Sequence, residues 1–293
     1  MRKNQRGSDL DRRTFLTTVG LVGAASQLDC ASSARTASST RRLRRVGIQL
    51  YTLRDDAERD LERTLGDIAA AGYNDVEMLG SRNNFGMPPA RLRAILDRNG
   101  LRAPSTHVAG EALDDLDRQL ADAATIGHQY LVVASLPLGP HPTLDDYRHW
   151  ADRMNEAGAL ALTHGVRIGF HNHAGDFTPI DGLVPYDVLV ERTDPAIVRM
   201  QLDTGNLAMA GRDPLEYMKR FGSRYWLFHI KDVPRLGATN DTALGKGIID
   251  FRRFLASIDH IDDKLLFVEQ ETYPGAPLDS ARRDYAYLSA LEF

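Results

Sequence analysis

Short apolar segments alternate with amphipathic segments eight times between Val46 and the C-terminus. The apolar segments have the length of buried strands, and the segments between them place apolar residues three and four positions apart, as helices do. Several of the helical segments are followed by a glycine, such as Gly72, Gly100, Gly127 and Gly165, which suits a helix C-terminus. This alternation predicts parallel strands joined by right-handed crossovers.

The number of β–α units decides between the parallel folds. The predicted strands are residues 46–50, 75–79, 102–107, 130–134, 166–171, 198–202, 225–230 and 265–269. The predicted helices are an amphipathic segment that ends at residue 71, then 89–99, 111–126, 144–164, 185–192, 214–221, 250–259 and 279–290. Eight units in about 248 residues favour a single (β/α)8 TIM barrel over 46–293. A Rossmann fold is disfavoured because Gln49-Leu50-Tyr51-Thr52, and not a glycine-rich loop, follows the first strand.

The first 45 residues differ from the rest. They carry ten basic and three acidic residues, a net charge of +7. Arg12-Arg13-Thr14-Phe15-Leu16 precedes a mildly apolar stretch, and a small-residue segment at 31–34 is a candidate cleavage region. This pattern resembles a twin-arginine (Tat) export signal. We therefore expect an export signal at 1–34, a disordered spacer at 35–45, and a periplasmic or cell-envelope location. The alternative is a frayed basic tail. Lipid anchoring at Cys30 is disfavoured because Asp29 fits that signal badly.

Charge and cysteine content exclude several functions for residues 46–293. This part has 26 basic and 37 acidic residues, a net charge of −11, which disfavours general nucleic-acid binding. It contains no cysteine, so it has no intrachain disulfide, thiolate metal cage or cysteine nucleophile. No apolar run approaches the ~18–20 residues of a transmembrane helix.

Polar residues collect where the predicted strands end, which is where a TIM barrel carries its chemistry. Seven of the eight strands end in such residues: Gln49 and Tyr51, Glu77, His107, His171-Asn172-His173, Asp203, His229 with Lys231 and Asp232, and Glu269. Imidazole and carboxylate donors without thiolates suit Mn, Co, Zn, Fe or Mg. Taken singly, Asp203 could cap a helix and His229 could be a core histidine. A buried Glu269 without a partner would be unusual.

The chain from Val46 resembles the xylose isomerase-like barrel superfamily, and within it the sugar phosphate isomerases/epimerases. The segments that carry the resemblance are Gly-Ile-Gln-Leu-Tyr-Thr-Leu-Arg (47–54), Gly-Tyr-Asn-Asp-Val-Glu (72–77), Phe-His-Asn-His (170–173), Leu-Asp-Thr-Gly-Asn (202–206), His-Ile-Lys-Asp (229–232), Gly-Lys-Gly-Ile-Ile-Asp (245–250) and Phe-Val-Glu-Gln-Glu (267–271). The resemblance implies a divalent metal ion (Mn, Co, Mg or Zn) held by Asp203, His229 and Glu269. It implies a fourth ligand at the end of strand 5, where related epimerases have a glutamate and this chain has His171.

The same resemblance implies chemistry through an enediolate, formed when a proton leaves the carbon next to a carbonyl. Candidate groups for this proton are Glu269, His171, His173 and Asp176, and Asp176 is also a candidate for substrate binding. Lys231 and Gln49 are candidate donors to a hydroxyl or oxyanion, and Glu77 and His107 would line the sugar site.

The resemblance leaves the product open. Reprotonation of the enediolate makes the protein a carbohydrate isomerase or epimerase, which is the first expectation. Loss of a leaving group makes it a lyase or hydratase acting on a keto-sugar or 3-keto-glycoside. Export and the histidine at 171 favour this second reaction. A third alternative is a non-enzymatic sugar-binding barrel. The related apurinic endonucleases are disfavoured by the acidic body and the predicted export. Association of barrels into a homo-oligomer is also expected from the resemblance.

Overall fold

A computed structural model describes residues 40–293. Its centre is a closed barrel of eight parallel strands in sequential order, in which β8 pairs with β1. The strands are β1 (Gly47–Gln49), β2 (Asp75–Leu79), β3 (Arg102–Ala109), β4 (Tyr130–Ser135), β5 (Arg167–His171), β6 (Val198–Asp203), β7 (Tyr225–Ile230) and β8 (Leu265–Val268). The predicted (β/α)8 fold is therefore confirmed.

Ten α-helices occur in the described part of the chain, two more than predicted. They are α1 (Arg54–Arg59), α2 (Leu61–Ala71), α3 (Pro89–Arg98), α4 (Leu116–Ile126), α5 (Leu144–Thr163), α6 (Pro185–Arg192), α7 (Thr204–Met209), α8 (Pro214–Phe221), α9 (Phe251–Ala256) and α10 (Pro277–Ala290). The additional helices, α1 and α7, are six residues long and follow β1 and β6. The structure starts α4 later than predicted because residues 110–115 form a tighter 3-10 turn, a common start to a helix. It also ends α9 three residues early.

Local sequence signals explain where the longer helices begin and end. The Thr143 hydroxyl accepts a hydrogen bond from the backbone N–H of Asp146, whose carboxylate accepts one from the backbone N–H of Thr143. This reciprocal pair satisfies free N–H groups at the start of α5. The Asp60 side chain caps the start of α2, and Gly72, with φ of +107°, follows its last residue. A side chain at Gly72 would also clash with the ring of Tyr285.

The barrel interior has an apolar part and a polar part. Tyr130, Val132, Leu227 and Phe267 form an apolar cluster separate from the main core. Alternate residues of a strand lie on the same face, so His229 and Glu269 share the face of Leu227 and Phe267 one step closer to the C-terminal ends of the strands. The candidate site therefore lies on an apolar base inside the barrel.

The described chain starts against its own C-terminus. Arg41 and Phe293 exchange two backbone hydrogen bonds, of 2.8 and 3.0 Å. Part of the segment predicted as a disordered spacer therefore belongs to the folded unit. The predicted export signal, Cys30 and residues 35–39 lie outside the described residues. Among residues 40–293, no helix combines the length and the apolar character needed to span a membrane.

Candidate metal and proton-transfer centre

Glu77 is the centre of a buried polar network at the C-terminal end of the barrel. Its carboxylate accepts hydrogen bonds from Gln49 Nε2 at 2.8 Å, from the Ser105 hydroxyl, and from Gln201 Nε2 at 2.8 and 3.0 Å. It also bonds His229 Nε2 at 2.5 Å. Burial opposes the charge of Glu77, but the neighbouring imidazoles outweigh burial and lower its pKa. Gln49 and Glu77 are fully buried and bonded to each other, so the structure shows them supporting the site, and direct substrate contact by either stays a prediction.

His229 lies between carboxylates on both sides of its ring. Its Nε2 bonds Glu77, while its Nδ1 is 2.9 Å from Glu269 Oε2 and 3.7 Å from Asp203 Oδ2. Burial disfavours a charged His229, but Glu269 and Glu77 outweigh burial and raise the pKa of His229 well above its ordinary value. A histidine held this way is not the core histidine bonded to a carbonyl that the sequence left open.

Asp203, His229 and Glu269 fit a divalent metal ion. Each offers a ligand atom, and these atoms lie within 4.8 Å of one another. Metal-binding histidines usually donate their second ring N–H to a carboxylate, and Glu77 occupies that position for His229. The structure therefore brings together three of the four predicted ligands, with an outer carboxylate that orients the histidine.

Asp203 combines the two roles that the sequence suggested as alternatives. Its Oδ1 accepts a hydrogen bond of 2.7 Å from the backbone N–H of Asn206 and so caps α7. Its Oδ2 accepts from Asn206 Nδ2 at 3.1 Å and faces both His229 and Lys231. The cap fixes the orientation of the carboxylate. Because Oδ1 is bonded to the start of α7, Oδ2 is directed into the barrel.

Lys231 is a fully buried cation beside the same carboxylates. Its Nζ is 3.1 Å from Glu269 Oε2 and 3.6 Å from Asp203 Oδ2, and it also pairs with Glu271. Burial opposes its charge, but these three carboxylates outweigh burial and raise the pKa of Lys231. The aliphatic part of the Lys231 side chain packs against Gly205, where an added Cβ would lie 2.5 Å from Lys231 Cγ. The missing side chain at Gly205 therefore makes room for the buried ammonium.

His171 and His107 lie beside this set, on β5 and β3. The ring centres of His171 and His229 are 4.6 Å apart, and those of His107 and His229 are 5.1 Å apart. Burial, reinforced by neighbouring histidines, lowers the pKa of His171 well below its ordinary value. The three rings form a second group with ligand atoms within 4.8 Å of one another. Because His171 falls in this second group, its role as the fourth ligand stays a prediction.

His173 and Asp176 lie at the opening of the barrel, after β5. The His173 side chain is exposed, and the Asp176 carboxylate accepts a hydrogen bond of 2.8 Å from the backbone N–H of His173. The Tyr147 hydroxyl donates to the same carboxylate at 3.2 Å. These positions suit contact with substrate hydroxyl groups, which stays a prediction for both residues.

Three polar residues for which the sequence predicted no role belong to the centre in the structure. Gln201 bonds Glu77, the side-chain oxygen of Asn172 accepts from the backbone N–H of Asp203, and Glu271 pairs with Lys231. Gln201 and Glu271 each stand two positions from a predicted ligand, so strand alternation was a usable signal for them.

Asp232, one of the polar residues noted after strand 7, organises a loop. Its carboxylate accepts hydrogen bonds from the backbone N–H groups of Val233, Gly245, Gly247 and Ile249, at 2.9 to 3.2 Å. These bonds order the segment between β7 and α9, and they account for both oxygens of Asp232.

A closed (β/α)8 barrel with a buried carboxylate–imidazole centre at the C-terminal ends of its strands has the architecture of a TIM-barrel enzyme. The sequence profile described as "Xylose isomerase-like TIM barrel" matches residues 65–291, and the chain belongs to that family. This confirms the resemblance to the xylose isomerase-like barrel superfamily.

Named relatives and solved structures agree with this family. The inosose dehydratase of Mesomycoplasma hyopneumoniae (strain 7448) is 26% identical over 269 residues, covering 78% of this chain and 88% of that protein. A sugar phosphate isomerase/epimerase structure from Parabacteroides distasonis superposes with a TM-score of 0.74 at 22% identity, over 84% of this chain and 98% of its own. A structure of an IolI protein with a bound zinc atom has a TM-score of 0.66 at 15% identity, over 83% and 95%.

Proposed function

We propose that this protein is a divalent-metal-dependent dehydratase or lyase. Its substrate would be a polyhydroxylated ketone, either a keto-sugar or a keto-cyclitol. The observation that carries the proposal is the pairing of a buried carboxylate with a buried ammonium: Glu269 Oε2 is 3.1 Å from Lys231 Nζ. Elimination needs one group that accepts a proton from carbon and a second that gives one to the leaving oxygen, and this pair supplies both.

Asp203, His229 and Glu269 would hold the metal ion, with His171 as the predicted fourth ligand. A divalent ion there would supply positive charge next to the substrate carbonyl and so stabilise the enediolate. Glu269 is suited to act as the base. Burial opposes its charge, but Lys231 and His229 outweigh burial and lower its pKa, so the side chain is an ionised carboxylate.

The protons in this reaction balance within the Glu269–Lys231 pair. The C–H bond next to the carbonyl breaks, its proton goes to Glu269, and the electron pair forms the enediolate. The C–O bond on the next carbon then breaks, and Lys231 donates a proton to the departing oxygen. Transfer of the proton from Glu269 to Lys231, across 3.1 Å, restores both groups.

The substrate class is supported by the relatives. Proteins named inosose dehydratase match 78% of this chain, and an inosose is a cyclitol that carries a ketone. At the barrel opening, His173 and Asp176 offer an imidazole and a carboxylate to which sugar-like hydroxyl groups could bond.

Isomerisation or epimerisation, the first expectation from the sequence, is the second candidate. The observation that favours it is His171, a buried imidazole whose ring centre is 4.6 Å from that of His229. A second base there could return the proton to the enediolate in place of losing a leaving group.

Proton NMR in D2O tests both candidates. The full chain is incubated with an inosose and with simple ketoses, once with Mn²⁺ and once with a chelator. Metal-dependent loss of the C–H signal next to the carbonyl, together with new alkene or enone signals, is the result expected for elimination. Exchange without alkene signals would support isomerisation. No exchange with any of these ketones, while calorimetry shows bound metal, would contradict both reactions.

A further inference from the structure

Gln201 is a fully buried amide that joins three other side chains of the centre. Its Nε2 is 2.8 and 3.0 Å from the two oxygens of Glu77. Its Oε1 is 2.8 Å from His107 Nε2 and 3.0 Å from His171 Nδ1. Gln201 therefore contacts His107 and His171, the two members of the three-histidine group that lie outside the Asp203–His229–Glu269 set.

The orientation of the Gln201 amide follows from Glu77. A carboxylate only accepts hydrogen bonds, so the amide NH2 must face it and the amide oxygen must face the two rings. An amide oxygen also only accepts, which means that both facing ring nitrogens carry hydrogen. The network thus assigns hydrogen to Nε2 of His107 and to Nδ1 of His171.

We propose that Gln201 is a positioning residue that holds a hydrogen on Nδ1 of His171, so that the ring, when neutral, is the Nδ1–H tautomer. A neutral imidazole carries one hydrogen, so Nε2 of His171 keeps its lone pair. The structure shows no hydrogen bond to this Nε2 from residues 40–293. The lone pair is therefore available either to bind a metal ion or to accept a proton, which are the two roles predicted for His171.

Loss of the Gln201 oxygen would reverse this arrangement. A buried N–H without an acceptor is costly, so Nδ1 of His171 would give up its hydrogen or the ring would turn. In the Nε2–H tautomer, Nε2 carries the hydrogen and has no lone pair for either predicted role, metal binding or proton acceptance. Partners of this kind, which fix the tautomer of a functional histidine, typically change metal affinity or activity by about 10- to 100-fold when removed.

Histidine ¹⁵N NMR of the full chain measures the tautomer directly. Two-bond ¹H–¹⁵N correlations of the metal-free, substrate-free protein should show His171 with a protonated Nδ1 and an unprotonated Nε2. Gln201→Leu, which removes the acceptor at similar volume, should abolish that pattern.

Gln49→Leu is the matched control. Gln49 Nε2 also donates to Glu77, at 2.8 Å, but its side chain bonds neither His107 nor His171. The His171 pattern should therefore survive in Gln49→Leu. An Nε2–H tautomer of His171 in the unmodified protein would overturn the proposal, as would an unchanged pattern in Gln201→Leu. If Gln201→Leu does not fold, the spectrum of the unmodified protein still decides.

The kinetic consequence rests on the proposed function, whereas the tautomer does not. Gln201→Leu should lower kcat by about 10- to 100-fold with a smaller change in KM. An Nδ1–H tautomer in a protein with no activity on ketones would leave the positioning role intact and contradict the reaction. Activity on ketones in a protein with the Nε2–H tautomer of His171 would support the reaction and contradict the positioning role.

Discussion

Two buried histidines of the same barrel, His171 on β5 and His229 on β7, have opposite electrostatic surroundings. His229 lies between the carboxylates of Glu77 and Glu269, which raise its pKa well above the ordinary value. His171 bonds the neutral amide of Gln201, and burial lowers its pKa well below the ordinary value. With ring centres 4.6 Å apart, the two side chains differ mainly in their partners. The role of each imidazole in this barrel therefore depends on the groups that its ring nitrogens contact.

The largest effect is expected from the loss of a carboxylate that faces His229. Asp203→Ala removes an oxygen that faces His229 and Lys231, so we expect loss of bound metal and a fall in activity on the order of 10³-fold. Metal content by mass spectrometry, turnover, and circular dichroism for the fold measure the three consequences.

Asp213→Ala is a control matched in structure. Asp213 caps α8 as Asp203 caps α7, but it lies outside the centre. Each variant loses one helix cap, which contributes about 1 kcal/mol of stability. Only Asp203→Ala should lose metal and activity, and full activity in that variant would refute the assigned site.

Glu269→Gln should give the next largest effect. The amide keeps the size of the side chain but cannot accept the carbon-bound proton, so exchange with solvent deuterium should slow by about 10²- to 10⁴-fold. Glu271→Gln is the comparison variant, since Glu271 also pairs with Lys231 but is 40% exposed in its side chain. Normal exchange in Glu269→Gln would show that another group is the base.

Gly205→Ala should act through Lys231 at a smaller scale. The new Cβ would meet the Lys231 stem at 2.5 Å, so the ammonium must move away from Glu269, and activity should fall by about 10- to 100-fold. Gly66→Ala, in α2, meets only Asn99 at 3.6 Å and should leave activity unchanged. A crystal structure of Gly205→Ala with Lys231 in place would contradict this account.

The smallest effect concerns a buried carboxylate without imidazole partners. Burial raises the pKa of Asp284 to about 7, whereas the imidazoles beside Glu77 lower its pKa. Because the folded state holds the Asp284 proton more tightly than the unfolded state, this group stabilises the fold at low pH. That contribution is lost as pH rises through about 7.

Asp284→Asn removes this titration. The difference in free energy of unfolding between Asp284→Asn and the unmodified protein should shift by about 2 kcal/mol in favour of the variant when the pH is raised from 5 to 8. Denaturant unfolding at the two pH values measures the change. A difference that is independent of pH would show that Asp284 ionises normally in the folded protein.

The sequence predicted the barrel well because each β–α unit carries its own periodicity. The strand at 225–230 and the helices at 185–192 and 214–221 have the predicted bounds. It missed α1 and α7 because six residues are too few to show a helical period. It also predicted most of the centre, since charged residues directly after apolar runs stand out.

The hydrogen-bond network of the centre was beyond sequence reasoning. Gln201 is uncharged and lies within an apolar strand, and its partner Glu77 is 124 residues away along the chain. The opposite behaviour of His171 and His229 also depends on contacts between strands that are distant in sequence. Strand spacing identifies which side chains point inward, but not which atom of each one faces another.

The pairing of Arg41 with Phe293 has a practical consequence. Residue 41 precedes β1 and residue 293 follows α10, so the two meet on the face of the barrel opposite the candidate centre. A peptide bridge between residues 293 and 41 would give a circular permutant with new ends in any solvent-facing loop. A linker to a solid support, joined on that side, would leave the entrance for small molecules uncovered.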